Sequence, residues 1–306
     1  MKKMFYLSLV MCCFIAACST KTPKELIESA DAKSKAGNYK EAIEDYDDAL
    51  AQDTGSILAM WNRGNTKVLS KDFPGAIADY SLVIARRPKN ADAYICRGNT
   101  KKVSGDFPGA IADLDKVIQF NPKSANGYKL RGLCKFETGD QAGAIADLDQ
   151  AVSMGVNEAV VYNALGSLKL KAGDMPGAIA SFDKFIGLDQ GQHTAFTKRG
   201  EAKIRTGDVE GALKDLNRAI ELNPKSSDAY GIRGNALFAK GKDSYGAATA
   251  DFNKAIELDP KNAAAFLGRG TLKLASGSKS EACADFTKAS QLGLKEADDL
   301  IAKNCK

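Results

Sequence analysis

Six arginines recur one residue before a glycine: Arg63, Arg97, Arg131, Arg199, Arg233 and Arg269. A row of guanidinium groups at one place in a repeating unit could form a cationic stripe for phosphate or for an acidic partner. Each arginine, however, has an aspartate of its own further along the chain: Asp79, Asp113, Asp147, Asp215, Asp251 or Asp285. Where Leu165 replaces the arginine, Ser181 replaces the aspartate. Joint loss predicts paired, partly buried charges, because one partner left alone in a packed site is costly. Ser29 with Asp45 breaks the rule. A second row, Lys33, Lys67, Lys101, Lys135, Lys169, Lys203 and Lys273, reads as lysines laying their methylene stems on apolar surface near helix ends. The alternative is a weak track for an acidic partner.

Little else in the chain could carry catalysis. His193 is the only histidine, which removes the usual general base, any multi-histidine metal site and most triads. No glycine-rich phosphate loop of the P-loop or dinucleotide type occurs, so neither enzyme activity nor a cofactor is expected. His193 reads as a surface histidine in a turn. Hydrophobic residues make up 44% and charged residues 26% of the 306-residue chain, an ordinary globular composition.

The elements that position these groups follow from self-similarity. "GNTKVLSKDFPGAIADYSLVI", Gly64 to Ile84, returns as "GNTKKVSGDFPGAIADLDKVI", Gly98 to Ile118, with 15 of 21 positions identical. Gly64, Gly98, Gly132, Gly166, Gly200 and Gly234 are each 34 apart, Gly270 follows at 36, and Ala30 holds the place one period earlier. A second ladder runs Ala42, Ala76, Ala110, Ala144, Ala178, Ala212, Ala248 and Ala282. Each of these alanines has Tyr, Leu or Phe four residues on. Such a period marks a helical repeat array rather than a duplicated active site. Pro88, Pro122, Pro224 and Pro260 are expected to stop second helices. Pro74, Pro108 and Pro176 fit first turns, behind Asp72, Asp106 and Asp174 as N-caps. "KDSY", Lys242 to Tyr245, lengthens the seventh turn by two residues.

A 34-residue period with aromatic-x3-Gly, then Ala-x3-Phe, then Pro resembles the tetratricopeptide repeat. The resemblance implies an all-α, right-handed superhelical solenoid of eight helix-turn-helix units over residues 23–296, with a capping helix over 297–306. It also implies that function lies in the concave groove of first helices, where such repeats take peptides and partner helices. The residues expected there are Trp61, Asn65, Ile95, Asn99, Lys102, Lys129, Leu133, Asn163, Glu201 and Asn235. Trp61 is a candidate anchor, with core packing as the alternative. The carboxylate clamp that holds chaperone tails in some members is not expected, since Trp61 and Ile95 stand one turn before Asn65 and Asn99 where that clamp has lysine.

The N-terminus carries a separate signal. "MKK" precedes an apolar run from Met4 to Ala17, 14 residues and too short for the roughly 20 of a spanning helix. "IAAC", Ile15 to Cys18, resembles the lipobox of bacterial lipoproteins. This implies a leader over residues 1–17, lipidation of Cys18, and a tether over 18–22. Ser19, not aspartate, after the cysteine implies the outer membrane, facing the periplasm. Loss of Lys2 and Lys3 with the leader leaves 41 of the 43 basic residues against 38 acidic ones, too small an excess to imply nucleic acid. In an oxidising compartment pairing is permitted. Cys283 and Cys305 should face one another, whereas Cys96 and Cys134 should stay reduced. The expected function is a lipid-anchored envelope scaffold that binds a protein or peptide partner. The alternative is a peptide- or carbohydrate-binding component of an uptake or secretion system.

Overall fold

The computed structural model describes residues 21–305, so the leader and Cys18 lie outside the described residues. Seventeen α-helices and one 3-10 turn account for the regular structure, and no strand occurs among the described residues. The first helix of each repeat is α1 (Pro23–Lys35), α3 (Ile57–Leu69), α5 (Ala91–Val103), α7 (Ala125–Thr138), α9 (Ala159–Ala172), α11 (His193–Arg205), α13 (Ser227–Lys240) or α15 (Ala263–Ala275). The second helices are α2 (Tyr39–Gln52), α4 (Phe73–Arg86), α6 (Phe107–Phe120), α8 (Gln141–Ser153), α10 (Met175–Leu188), α12 (Val209–Leu222), α14 (Tyr245–Leu258) and α16 (Lys279–Gln291). Helix α17 (Glu296–Asn304) follows. By contact the chain falls into two compact units, the first ending at Asp106 and the second beginning at Phe107, so the division lies inside the third repeat.

Within a repeat the ring or leucine of the second helix fills the space that the glycine of the first leaves open. A Cβ at Gly166 would stand 2.7 Å from the Phe182 ring, and one at Gly270 2.7 Å from the Phe286 ring. Tyr80, Leu148, Phe182, Leu216, Phe252 and Phe286 are all buried by this fit. Asp72, Asp140, Asp174 and Asp208 cap the second helices by accepting from the amides of Gly75, Gly143, Gly177 and Gly211, which satisfies donors a helix start leaves open.

The second helices end less through proline than the sequence suggests. Asp53, Asn121, Asp189, Asn223 and Asp259 each accept, through the side chain, the amide two residues on. Proline follows three of them, yet the repeats without it turn in the same way, because the Asx turn reverses the backbone by itself. The two-residue insertion becomes the 3-10 turn Lys242–Ser244 ahead of α14.

The arginine–aspartate pairs are bidentate and mostly buried. Arg131 donates from Nε to Asp147 Oδ2 at 2.8 Å and from Nη2 to Oδ1 at 2.6 Å. Arg199 with Asp215, Arg233 with Asp251 and Arg269 with Asp285 repeat this geometry. Arg63 holds Asp79 through Nε and Nη2. The remaining Nη1 reaches back to the preceding second helix: Arg131 to Asp115, Arg199 to Asp183, Arg233 to Asn217 and Arg269 to Asn253. One guanidinium thus joins two repeats. It also stacks on the ring three residues earlier, Tyr128, Phe196, Tyr230 or Phe266, at 5.4 to 5.7 Å, within cation–π range.

The lysine row is a correction to the sequence reading. Lys67, Lys135, Lys203 and Lys273 do not merely lay their stems on apolar surface. Each donates to the same buried aspartate as the arginine, at 2.8 to 3.0 Å. Two cations therefore share one carboxylate, whose two oxygens and several lone pairs suffice for both. The first repeat ceases to be an exception, because Asp45 accepts from Ser29 and pairs with Lys33 at 2.7 Å. In the fifth repeat Lys169 finds no aspartate at Ser181 and turns to Asp149 at 2.8 Å.

Candidate functional site

In the second compact unit consecutive first helices touch one another, α7 with α9, α9 with α11, α11 with α13 and α13 with α15, whereas no two second helices approach as closely. First helices therefore line the inside of the curve. On that face α11, α13 and the start of α15 enclose a cavity of about 500 Å3. Its floor and sides include Gly231, Ile232, Ile204, Ala264 and Ala265, and its polar rim includes Thr197, Glu201, Asp228, Asn235 and Asn262. A second hollow of about 350 Å3 continues it over α9 and α11, sharing Lys198, Glu201 and Arg205 and adding Ser167 and Lys171. A third, also about 350 Å3, runs toward α17, sharing Arg205, Asn235 and Ala264 and adding Phe238, Leu267, Leu294 and Glu296. Shared residues make the three one continuous groove. The 500 Å3 cavity alone has the volume of a small-ligand site.

Of the residues singled out from sequence, Glu201 and Asn235 stand in this groove. Asn163 is half-buried on α9. Lys129 on α7 pairs with Glu158 at 2.8 Å, and Leu133 packs against the cluster around Leu148 and Leu165. Trp61, Asn65, Ile95, Asn99 and Lys102 belong to the first compact unit. There Trp61 meets Tyr80 edge-on, with centroids 5.9 Å apart, and flanks the core of Met60, Val83 and Ala93. Asn65 accepts the Tyr80 hydroxyl at 2.7 Å, so its carbonyl is already used.

His193 is a correction. It opens α11 rather than lying in an exposed turn, is half-buried and lines the 500 Å3 cavity. Asn223 Oδ1 accepts the Lys225 amide, which turns its Nδ2 toward His193 Nε2 at 3.1 Å. Nε2 is then the acceptor and Nδ1 carries the hydrogen, by the logic of the network. Nδ1 is shielded from solvent and has no partner among the described residues.

Cys283 on α16 and Cys305 after α17 form a disulfide with Cα atoms 5.7 Å apart, inside the range such a bond requires. Cys96 and Cys134 take no part in a disulfide. Burial, with Asp92 nearby, pushes the Cys96 thiol up to about 11, so it is a poor nucleophile at neutral pH. No cluster of three or more potential metal ligands, and no helix long and apolar enough to cross a membrane, occurs among the described residues.

Fold and groove define a helical-repeat protein with a groove on the inner face of its second compact unit. Models of the tetratricopeptide repeat match residues 27–91, 97–159 and 227–262, and a TPR repeat model matches 200–241. The chain belongs to the tetratricopeptide-repeat proteins. Similar solved structures include YrrB, a TPR protein with an unusual peptide-binding site, at 19% identity over 61% of this chain and 95% of that one, with a TM-score of 0.56. The C-terminal part of a TPR repeat-containing protein from Cytophaga hutchinsonii gives 19% identity over 79% and 98%, with a TM-score of 0.60. MamA gives 26% identity over 56% and 93%, with a TM-score of 0.50. No curated protein matches the sequence.

Proposed function

We propose that this protein is an interaction scaffold that holds a peptide segment of a partner protein against its first helices. The continuous groove over α9, α11, α13 and α15 carries this reading, because it combines an apolar floor with polar side chains along its rim. Asn235 offers both a donor and an acceptor to an extended backbone. Arg63, Arg131, Arg199, Arg233 and Arg269 play no part, since they are 15% to 23% exposed and already hold aspartates. The proposal includes anchoring through a lipid on Cys18, in a bacterial envelope and facing the periplasm. What supports that part is the apolar run Met4 to Ala17 followed by "IAAC". Lys21 and Thr22 directly precede α1, so the repeats would stand close to the membrane surface.

Two measurements test these parts separately. Asn235→Arg is expected to abolish capture of the partner from envelope extracts, while Lys254→Ala, on the outer helix α14, should retain it. Both variants should melt like the parent protein, because substitutions at exposed positions change stability by about 0.5 kcal/mol or less. Equal capture by both would contradict the groove assignment. Cys18→Ala should lose lipid labelling and membrane fractionation, and unchanged labelling would refute the anchor.

A further inference from the structure

The 500 Å3 cavity is bordered by a glycine inside a helix, Gly231. Positions equivalent to Gly231 in other repeats hold Trp61, Ile95, Lys129, Asn163, Thr197 and Leu267. Gly231 lies inside α13 and, unlike the glycines against Phe182 and Phe286, has no packing reason to lack a side chain. A Cβ there would stand 3.8 Å from Ala255, Ala265 and the Asn262 amide, an ordinary contact. A helix-interior glycine that fits a side chain forgoes helix stability. What the glycine provides is space over Ile204, Ile232, Ala264 and Ala265.

The charges beside this space are unbalanced. Lys171, Lys198 and Arg205 border the hollow over α9 and α11, against one carboxylate, Glu201. Arg205 donates to Glu201 at 3.0 Å. Lys198 donates to the Ser167 hydroxyl at 2.8 Å, and among the described residues neither it nor Lys171 has a carboxylate partner. Asp228 borders the cavity from α13, so negative charge is welcome on the α9–α11 side and opposed on the other.

From these observations we infer that the groove selects an extended peptide bearing a bulky apolar or aromatic side chain, which enters the space over Gly231. An acidic residue near that side chain lies toward Lys171 and Lys198. This rests on the groove reading above and narrows it to a ligand chemistry. One apolar anchor with an acidic neighbour also gives orientation, since the reversed peptide would set its carboxylate against Asp228.

Selection from a random decapeptide library on the intact protein tests it. Wild-type protein should enrich peptides with Phe, Tyr, Trp, Leu or Met accompanied by Asp or Glu within about four residues, the reach of neighbouring first helices at roughly 3.3 Å per residue. Gly231→Leu should weaken those peptides by about tenfold or more, as filling an anchor pocket does, without lowering the melting temperature. Lys171→Glu should weaken them several-fold and spare versions with Asp or Glu changed to Asn or Gln. Should Gly231→Leu fail to fold, Gly231→Ala carries the test, with a smaller loss of binding and an unchanged or raised melting temperature. If Gly231 and Lys171 variants bind like wild type while Asn235→Arg abolishes binding, this inference is wrong and the groove reading stands. Selected peptides that ignore all three substitutions would overturn both, and a selection lacking either the anchor or the acid would overturn the inference alone.

Discussion

Asp147→Ala is expected to lose about 3 to 5 kcal/mol of stability, the scale of breaking a buried ion pair. The Asp147 carboxylate is 6% exposed and accepts two bonds from Arg131 and one from Lys135. Its removal leaves two cations side by side, only one of which, Arg131, keeps a carboxylate, that of Asp115. Arg131→Ala should cost less, because Lys135 still balances Asp147. The order of the two variants is therefore itself a prediction. Burial pushes the Asp147 pKa up, but hydrogen bonds from Arg131 and Lys135 outweigh it and hold the group below the usual carboxylate range. A lowered folded-state pKa contributes stability that is present above the unfolded value of about 3.9 and is lost as pH falls through the lower folded value. Urea melts at pH 7 and at pH values falling from 4 should show the wild type losing this contribution in acid, while Asp147→Ala has none to lose. A variant within about 0.5 kcal/mol of wild type at pH 7, the level of an ordinary surface change, would refute the shared-carboxylate account.

The second large effect is expected from the other end of the chain. Reducing the Cys283–Cys305 bond, or replacing Cys305 with serine, should remove roughly 3 kcal/mol in the chain-entropy model for the 22-residue separation it spans. The loss should be local, because a repeat array is stabilised unit by unit and its ends open first. Helix α17 would then rest on Ala297, which is buried with Phe266 and Ala289, and on partly buried Leu292 and Leu294. Amide exchange should accelerate in α16 and α17 and stay unchanged in α9 and α10. Leu294 and Glu296 also border the third hollow, so the reduced protein should bind groove ligands that reach this end more weakly. Free Cys283 and Cys305 in protein taken from an oxidising envelope, or identical exchange with and without reductant, would rule the staple out.

Much of the fold was legible because copies within one chain act as controls. Leu165 with Ser181 exposed the arginine–aspartate pairing, since both members vanish together. No such control exists for the lysines: they persist at Lys169, where the aspartate is gone, and a flexible four-carbon stem can reach either solvent or a buried carboxylate. Helices α4, α6, α12 and α14 do end two residues before Pro88, Pro122, Pro224 and Pro260, but the Asx turns that share this task depend on side-chain geometry, which Asp and Asn in a loop do not reveal. Glu201 and Asn235, put on the groove face by periodicity, line the cavity, because periodicity fixes the face a residue occupies. Periodicity does not say whether a ring at that face turns outward or inward, and Trp61 leans on Tyr80. Gly231 escaped notice because its meaning is the absence of a side chain, visible only once Ala255, Ala265 and Asn262 are seen to leave room. His193 was misplaced by one turn boundary, which sequence patterns locate least well.

The groove claim can be tested without knowing the partner in advance. A photoreactive benzoylphenylalanine at Thr194, an exposed residue of α11 that borders the 500 Å3 cavity, should crosslink the peptides that the protein selects and the partner from envelope extracts. The same probe at Lys254, on the outer helix α14, should crosslink neither. Crosslinking from Lys254 with none from Thr194 would place recognition on the outer helices and contradict the account.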